Sequence, residues 1–267
     1  MSENTKALRV RIKSVTSTMQ LTNAMGLVAS SKIRRANQAM LAGREYLSAL
    51  DATVNELAND RECLKSPYMQ VREPVRTRLI VITGDRGLAG GYNANVFRLA
   101  AQYPEAQKIA VGKRACDKFD AEYISSEYFT FDKASELADE LCKDFADKKF
   151  DRLGIIATKY NSVMSQEAYV RWVLPLTKTE ETKASGMIFE PDCITVLNNF
   201  VREYVAGVIT VCVRESFASE VAARRMAMDS ASKNAQQMIN DLQLEYNRAR
   251  QGAITQEITE IVAGSGN

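Results

Sequence analysis

Apolar and small residues recur along the N-terminal part of the chain at the spacing of a helix packed against a second helix. Their steps alternate between four and three positions without a slip, which is a coiled-coil seam kept for about seven heptads. Such a helix would be about 75 Å long and would project beyond a compact body. The seam positions are Leu8, Ile12, Val15, Met19, Thr22, Gly26, Ala29, Ile33, Ala36, Met40, Gly43, Leu47, Leu50, Val54 and Leu57.

The C-terminal part repeats this pattern, from Phe217 through Val221, Met228 and Leu242 to Ile258. All five prolines lie between positions 67 and 191, so both ends are free to form uninterrupted helices. Because a long insert separates them, the pattern predicts an antiparallel intramolecular coiled coil. A homodimeric coiled coil is the alternative that the pattern leaves open.

Between the two long helices, short β-branched runs alternate with helical segments. Strands are predicted at 78–83, 108–112 and 152–158, with a further one at 165–174, and helices at 94–102, 113–119 and 134–148. This alternation predicts a Rossmann-like α/β domain with a mainly parallel sheet. Residues 194–213 suit either a strand or a helix, and their helical spacing of apolar residues favours a helix. The predicted domains are 1–66, 67–190 and 191–267.

The composition removes most enzymatic chemistry. The 267 residues include no histidine, which excludes Ser-His-Asp and Cys-His nucleophiles, histidine metal ligands and the commonest general base. The five cysteines are widely spaced without a C-x-x-C pair, so neither a zinc site nor a redox motif is expected. We expect all five to be buried free thiols in a reducing compartment, and we expect no metal and no cofactor.

Charge and hydropathy point to acidic partners rather than to a membrane span. The net charge is only +2, but the first 50 residues hold eight Lys or Arg against Glu3 and Glu45. No apolar run approaches the roughly 20 residues needed to cross a bilayer, so the chain is expected on the cytoplasmic side. The cluster Lys32, Arg34 and Arg35 lacks interleaved aromatic residues, and nucleic acid is therefore not an expected partner.

The segment 84–91, GDRGLAGG, follows a predicted strand and suggests a phosphate-binding loop. Its spacing matches neither the P-loop nor the dinucleotide fingerprint, so direct nucleotide binding is not expected. A Rossmann-like enzyme, one rival hypothesis, would need that fingerprint and convergent catalytic groups.

Three stretches resemble the gamma subunits of F-type ATP synthases. The first is AMGLVASSKIRR at 24–35, the second is DRGLAGG at 85–91, and the third is NRARQGAITQEITEIVAG at 247–264. Ala89 stands where the family commonly has cysteine, and Gly26 where it more often has a larger residue. Arg225 aligns with the arginine of a further family pattern, A-R-x-x-A-M.

The resemblance implies a non-catalytic central-stalk rotor of a bacterial-type enzyme, since no transit peptide precedes the first helix. One copy would turn inside the alpha3beta3 ring and contact the epsilon subunit and the membrane c-ring, at the cytoplasmic face of the cell membrane. Catalysis would lie on the beta subunits. An unrelated coiled-coil scaffold or adaptor with an α/β head is the alternative, and it leaves the three matching stretches unexplained.

The same resemblance implies a set of residues that contact the alpha and beta subunits. They are expected on both long helices and in the glycine loop, with the last turns of the chain in an apolar sleeve. Gln251 and Thr255 are four positions apart and therefore share a helix face. The expected contact residues are Met25, Lys32, Arg34, Arg35, Asp85, Arg86, Arg225, Arg250, Gln251, Thr255, Glu257, Ile258 and Ile261.

Overall fold

The computed structural model describes residues 3–60, 62–73, 75–177 and 189–264. Two long helices stand at the ends of the chain: α1, Glu3–Asn59, and α5, Cys193–Gly264. Every position of the predicted α1 seam is buried or half-buried, whereas most residues between these positions are exposed. The predicted helical periodicity is therefore confirmed, and residues 194–213 are helical as favoured.

The intervening part has the predicted alternation of strands and helices. Its elements are β1 Thr77–Ile82, α2 Tyr92–Ala100, β2 Gln107–Val111, α3 Lys113–Phe119, α4 Phe131–Ala146, β3 Arg152–Tyr160 and β4 Gln166–Leu174. Two short 3-10 helices, Cys63–Lys65 and Pro67–Met69, follow α1. The strands form one sheet in the order β2-β1-β3-β4; β1 is parallel to β2 and β3, and β4 is antiparallel to β3. The mainly parallel α/β fold is confirmed.

The central strands are buried on both faces. In β1, Ile80 and Ile82 belong to a cluster with residues of α1, α4 and α5, while Leu79 and Val81 pack with α2 and α3. Side chains alternate between the two faces of a strand, so these consecutive apolar residues fill two layers at once. This packing explains why the sequence of β1 contains a continuous run of apolar, mainly β-branched residues.

The chain separates into two compact units. Unit 1 contains Met1–Ser30 and Arg224–Asn267, and unit 2 contains Ser31–Ala223. Unit 2 holds the sheet and the middle portions of the chain, with large apolar side chains in its core. Unit 1 consists of two helical segments that run antiparallel, since Thr22 bonds Ser232 while Gly26, further along α1, faces Met228.

The cysteine prediction is wrong for two of the five residues. Cys63 and Cys193 form a disulfide, with their Cα atoms 5.9 Å apart, whereas Cys116, Cys142 and Cys212 are free and buried. The pair joins the segment just after α1 to the first residue of α5. Because 130 positions separate the two residues, only the antiparallel return of the chain brings them together. Burial raises the pKa of the Cys142 thiol to about 12.

In the part of the chain that the structure describes, α5 contains a stretch that passes the test of length and composition for a membrane span. Such a stretch is weak evidence, because a core helix passes the same test, and 67% of this stretch is buried inside the structure. Five of the β-branched residues that made 194–213 ambiguous in the sequence lie within the core of unit 2: Val201, Val205, Val208, Ile209 and Val213.

Candidate functional site: a basic surface on unit 2 and an exposed helix end on unit 1

The glycine loop after β1 is organised by the carboxylate of Asp85. Its oxygens accept hydrogen bonds from the Ser125 hydroxyl at 2.7 Å and from three backbone N–H groups. These N–H groups belong to Lys113 at 3.0 Å, Ser126 at 3.1 Å and Glu127 at 3.1 Å. The side chain thus ties the loop to the start of α3 and to the segment before α4. Asp85 was predicted to contact a partner, and in this structure its carboxylate is engaged within the chain.

The environment of Asp85 favours its ionised form. Partial burial opposes ionisation, but the hydrogen bonds from Ser125, Glu127, Ser126 and Lys113 together outweigh burial and lower the pKa of this carboxyl. A carboxylate that accepts several N–H bonds is a stable anchor for a loop. The loop conformation is therefore set by a charged group that the chain itself holds.

Two glycines around the loop are required by close packing. A Cβ atom at Gly84 would lie 2.5 Å from the carboxyl carbon of Glu220, which is 2% exposed on α5. Gly112, which precedes α3, has a φ of 91°, and a Cβ there would lie 2.1 Å from the carbonyl oxygen of Thr83. Side chains at these positions would push the loop away from its support.

The predicted basic residues of α1 form an exposed surface on unit 2. Arg34 and Arg35 are exposed, and the Lys32 side chain is 34% exposed. The Lys32 ammonium pairs with Oε1 of Glu127, and Nη2 of Arg86 lies 3.7 Å from Oε2 of the same carboxylate. The structure therefore brings two predicted contact residues, Lys32 and Arg86, to one carboxylate that the sequence analysis missed.

A groove of about 610 Å³ lies beside these ion pairs. Among the described residues that line it, the charged ones are Lys32, Arg35, Arg214 and Glu127, and Tyr128 is one of its aromatic residues. All of its lining residues belong to unit 2. An excess of cations beside aromatic surface suits a ligand that carries negative charge next to apolar groups.

Unit 1 ends in exposed helical turns that contain several of the predicted residues. Arg250, Gln251 and Thr255 are exposed, and the Thr255 hydroxyl donates to the Gln251 carbonyl oxygen at 3.0 Å. This bond places Gln251 and Thr255 on adjacent turns of one helix face. Ile258 is 55% exposed and Ile261 69% exposed. Large apolar residues that are exposed close together on one helix form a surface that a partner can cover.

Three further predicted residues belong to unit 1. Met25 is half-buried in α1, and Arg225 is exposed on α5 and lines a shallow groove with Gly26 and Met228. Glu257 lies within α5, but its side chain is outside the part of the chain that the structure describes. These residues stay predicted partner contacts.

The residue that sequence reasoning missed is Glu127. Glu127 belongs to no motif in the sequence, and its ion-pair partners lie on two other segments of the chain, Lys32 on α1 and Arg86 in the glycine loop. A search for acidic residues near the predicted basic cluster would have needed the fold, because 95 positions separate Lys32 from Glu127.

Comparison with known proteins finds one family over nearly the whole chain. The family described as ATP synthase matches residues 4–266. The chain is 37% identical to the "ATP synthase gamma chain, sodium ion specific" of Acetobacterium woodii, over 99% of each chain. It is 36% identical to the ATP synthase gamma chain of Geotalea daltonii, over 97% of each.

Solved structures show the same fold at lower sequence identity. A chain of the rotor of the Euglena gracilis mitochondrial ATP synthase has a TM-score of 0.68 at 20% identity, covering 94% of this chain and 99% of that one. A chain from the central stalk and c-ring of the Tetrahymena thermophila enzyme has a TM-score of 0.64 at 22% identity, covering 79% and 99%. With relatives more than one-third identical over nearly their whole length, this chain belongs to the family of ATP synthase gamma chains.

Proposed function

We propose that this chain is the central-stalk rotor subunit of an F-type ATP synthase. It couples ion flow through the membrane sector to ATP synthesis or hydrolysis by rotating inside the alpha3beta3 ring. The observation that carries this proposal is the match to gamma chains over 97–99% of the chain. Nucleotide chemistry then belongs to the beta subunits, and this chain contributes no catalytic residue.

Rotation couples to catalysis only if the rotor contacts the three catalytic subunits differently, because equal contacts would shift no conformational equilibrium. Unit 1 supports such a role through the unequal chemistry of its surface. The first turns of α1 expose Lys6, Arg9 and Arg11, whereas the last turns of α5 expose Ile258 and Ile261. A beta subunit that faces basic residues and one that faces apolar residues experience different interactions.

The residues expected to contact the ring fall into groups according to where they lie on the chain. The exposed apolar turns at the end of α5 enter an apolar sleeve formed by the ring, and Arg250, Gln251 and Thr255 contact a catalytic subunit. Basic residues of unit 2, including Lys32 and Arg86, meet acidic groups of the ring. The α/β portion lies beside the epsilon subunit and the c-ring, so the protein is peripheral at the cytoplasmic face of the cell membrane.

A native-mass determination of the tagged full-length chain, purified from cells that make the whole complex, tests the assignment. We expect one copy with three alpha and three beta subunits, in a preparation that hydrolyses ATP. Recovery of the chain alone or as a homodimer, without ATPase partners, would contradict the proposal and favour a self-associating scaffold.

The contact assignment has a sharper test in a matched pair of variants. Gln251→Ala removes an expected contact, and Gln243→Ala makes the same change at an exposed position two turns earlier on α5. We expect ATP-driven ion pumping by membrane vesicles to fall in Gln251→Ala by about two- to tenfold, because one interfacial hydrogen bond is lost. Equal pumping by the two variants would remove Gln251 from the contact set.

A further inference from the structure

Glu127 occupies an unusual place on the basic surface of unit 2. Its side chain is 15% exposed, and its two oxygens face different cations, Lys32 from α1 and Arg86 from the glycine loop. Among the described charged residues that line the adjoining groove, it is the one carboxylate beside three cations. Any acidic group that approaches this groove therefore meets a carboxylate that already pairs with one of its three cations, Lys32, and with Arg86 of the glycine loop.

The backbone holds Glu127 in this position. Its N–H donates to Asp85 at 3.1 Å, and the N–H of Ser126 donates to both oxygens of the same carboxylate at 3.1 Å. The Ser125 hydroxyl adds a bond of 2.7 Å to Asp85. These bonds fix the backbone from which the Glu127 side chain reaches the two cations. Asp85 is thus a positioning residue for Glu127.

We propose that Glu127 is an internal counter-ion that competes with an acidic segment of a partner for Lys32 and Arg86, and so limits the affinity of this surface. The acidic chemistry of the partner follows from charge complementarity with the groove. That this partner belongs to the catalytic ring rests on the proposed function. A rotor contact must release at each step, and a built-in competitor keeps the attraction from becoming permanent.

Competition predicts the direction in which the affinity for an acidic ligand changes when Glu127 is replaced. Removing the Glu127 charge removes the carboxylate that Lys32 and Arg86 share, so an acidic ligand no longer competes with Glu127 for these two cations. Partly exposed ion pairs of this kind change affinity by about two- to fivefold. A variant that simply damaged the surface would lose affinity, so a gain separates competition from a structural role.

The experiment measures binding of a fluorescent oligoglutamate peptide to the isolated full-length chain by anisotropy, at low and at physiological ionic strength. We expect Glu127→Gln to bind about two- to fivefold more tightly than the parent chain, with a smaller gain at higher salt. Glu136→Gln is the matched control, because it removes the same charge from an exposed pair with Lys133 on α4. We expect it to leave peptide binding unchanged. In Lys32→Gln/Glu127→Gln the gain should disappear.

Several outcomes would overturn the inference. Unchanged or weaker binding by a folded Glu127→Gln would show that Glu127 orients the cations instead of competing for them. An equal gain in Glu136→Gln would reduce the effect to net charge. If Glu127→Gln fails to fold, Glu127→Asp tests the same idea, since it shortens the reach to both cations; a smaller gain supports competition and a loss contradicts it. No peptide binding by any variant would overturn the inference while leaving the co-purification test of the proposed function unaffected.

Discussion

Unit 1 and unit 2 contain parts of the same two helices, yet the helices are held together differently in each. In unit 2, α1 and α5 contribute Leu57 and Leu197 to a core of fully buried large side chains that also includes Phe145. In unit 1, the seam is narrow and partly polar, with the Thr22 hydroxyl 2.7 Å from that of Ser232. A helix pair with a small apolar seam gains little from packing, whereas a layered core gains much.

The two units are therefore expected to differ in what stabilises them. Unit 2 buries many large apolar side chains in one core. Unit 1 leaves apolar residues such as Ile258 and Ile261 exposed, and a partner that covers them is expected to add to its stability. We therefore expect the isolated chain to open locally in unit 1 well before unit 2 unfolds.

The same substitution in each unit provides the strongest test. Leu197→Ala leaves a cavity at a site that is 0% exposed, and should lower the free energy of unfolding of unit 2 by about 3–5 kcal/mol. Leu242→Ala acts in the seam of unit 1, which can collapse around the loss, so about 2 kcal/mol or less is expected there. Urea unfolding combined with hydrogen exchange distinguishes the two sites. Equal losses, spread over the whole chain, would contradict the division into units.

The Cys63–Cys193 disulfide should stabilise unit 2 alone. It closes a loop across 130 positions, and its removal is expected to lower the free energy of unfolding by about 2–5 kcal/mol. Comparison of thermal unfolding with and without dithiothreitol measures the effect. The double variant Cys63→Ala/Cys193→Ala is the control, because dithiothreitol should not change its melting temperature further. A parent chain indifferent to the reductant would argue against the bond.

Most of the fold could be predicted because its signals are local and repeated. The α1 seam persists over residues 8–57, and each of its positions is shielded in the structure. The β-branched stretch 194–213 was harder, since residues 204–213 are all buried and show no polar face of the kind that usually identifies a helix. The disulfide and the roles of Asp85 and Glu127 depend on residues far apart in the chain. No spacing rule reveals them before the topology is known.

Asp85 should make the stability of unit 2 depend on pH, because all of its hydrogen-bond partners belong to unit 2. Its folded pKa lies below the ordinary aspartate value of about 3.9, so the stabilisation is present above that value and is lost as the pH falls through the folded pKa. Asp85→Asn should therefore cost about 1–3 kcal/mol at neutral pH and progressively less in acid. Urea unfolding of the parent chain and the variant at neutral and at acidic pH measures how this loss of stability depends on pH. Asp117→Asn, at an exposed position on α3, controls for the loss of one charge.

The smallest expected effect concerns the seam of unit 1. Gly26→Ala would place a Cβ atom 3.6 Å from Cβ of Met228, an ordinary van der Waals contact. Because alanine is the better helix former, we expect the helix to gain about 0.5–1 kcal/mol. Hydrogen exchange of α1 around residue 26 measures the gain. Gly252→Ala is the matched control, since no atom lies within 4 Å of its added Cβ and only helix propensity changes.

The two glycine variants together determine whether the narrow seam between the helices of unit 1 has room for one more methyl group. An equal gain at both positions means that the helices of unit 1 accept a methyl group without moving apart. A loss at Gly26 alongside a gain at Gly252 would mean that the seam is tighter than the structure describes, and that the close approach itself holds the pair together. In that case packing would contribute more to unit 1 than its few buried side chains suggest, and the contrast with unit 2 would narrow.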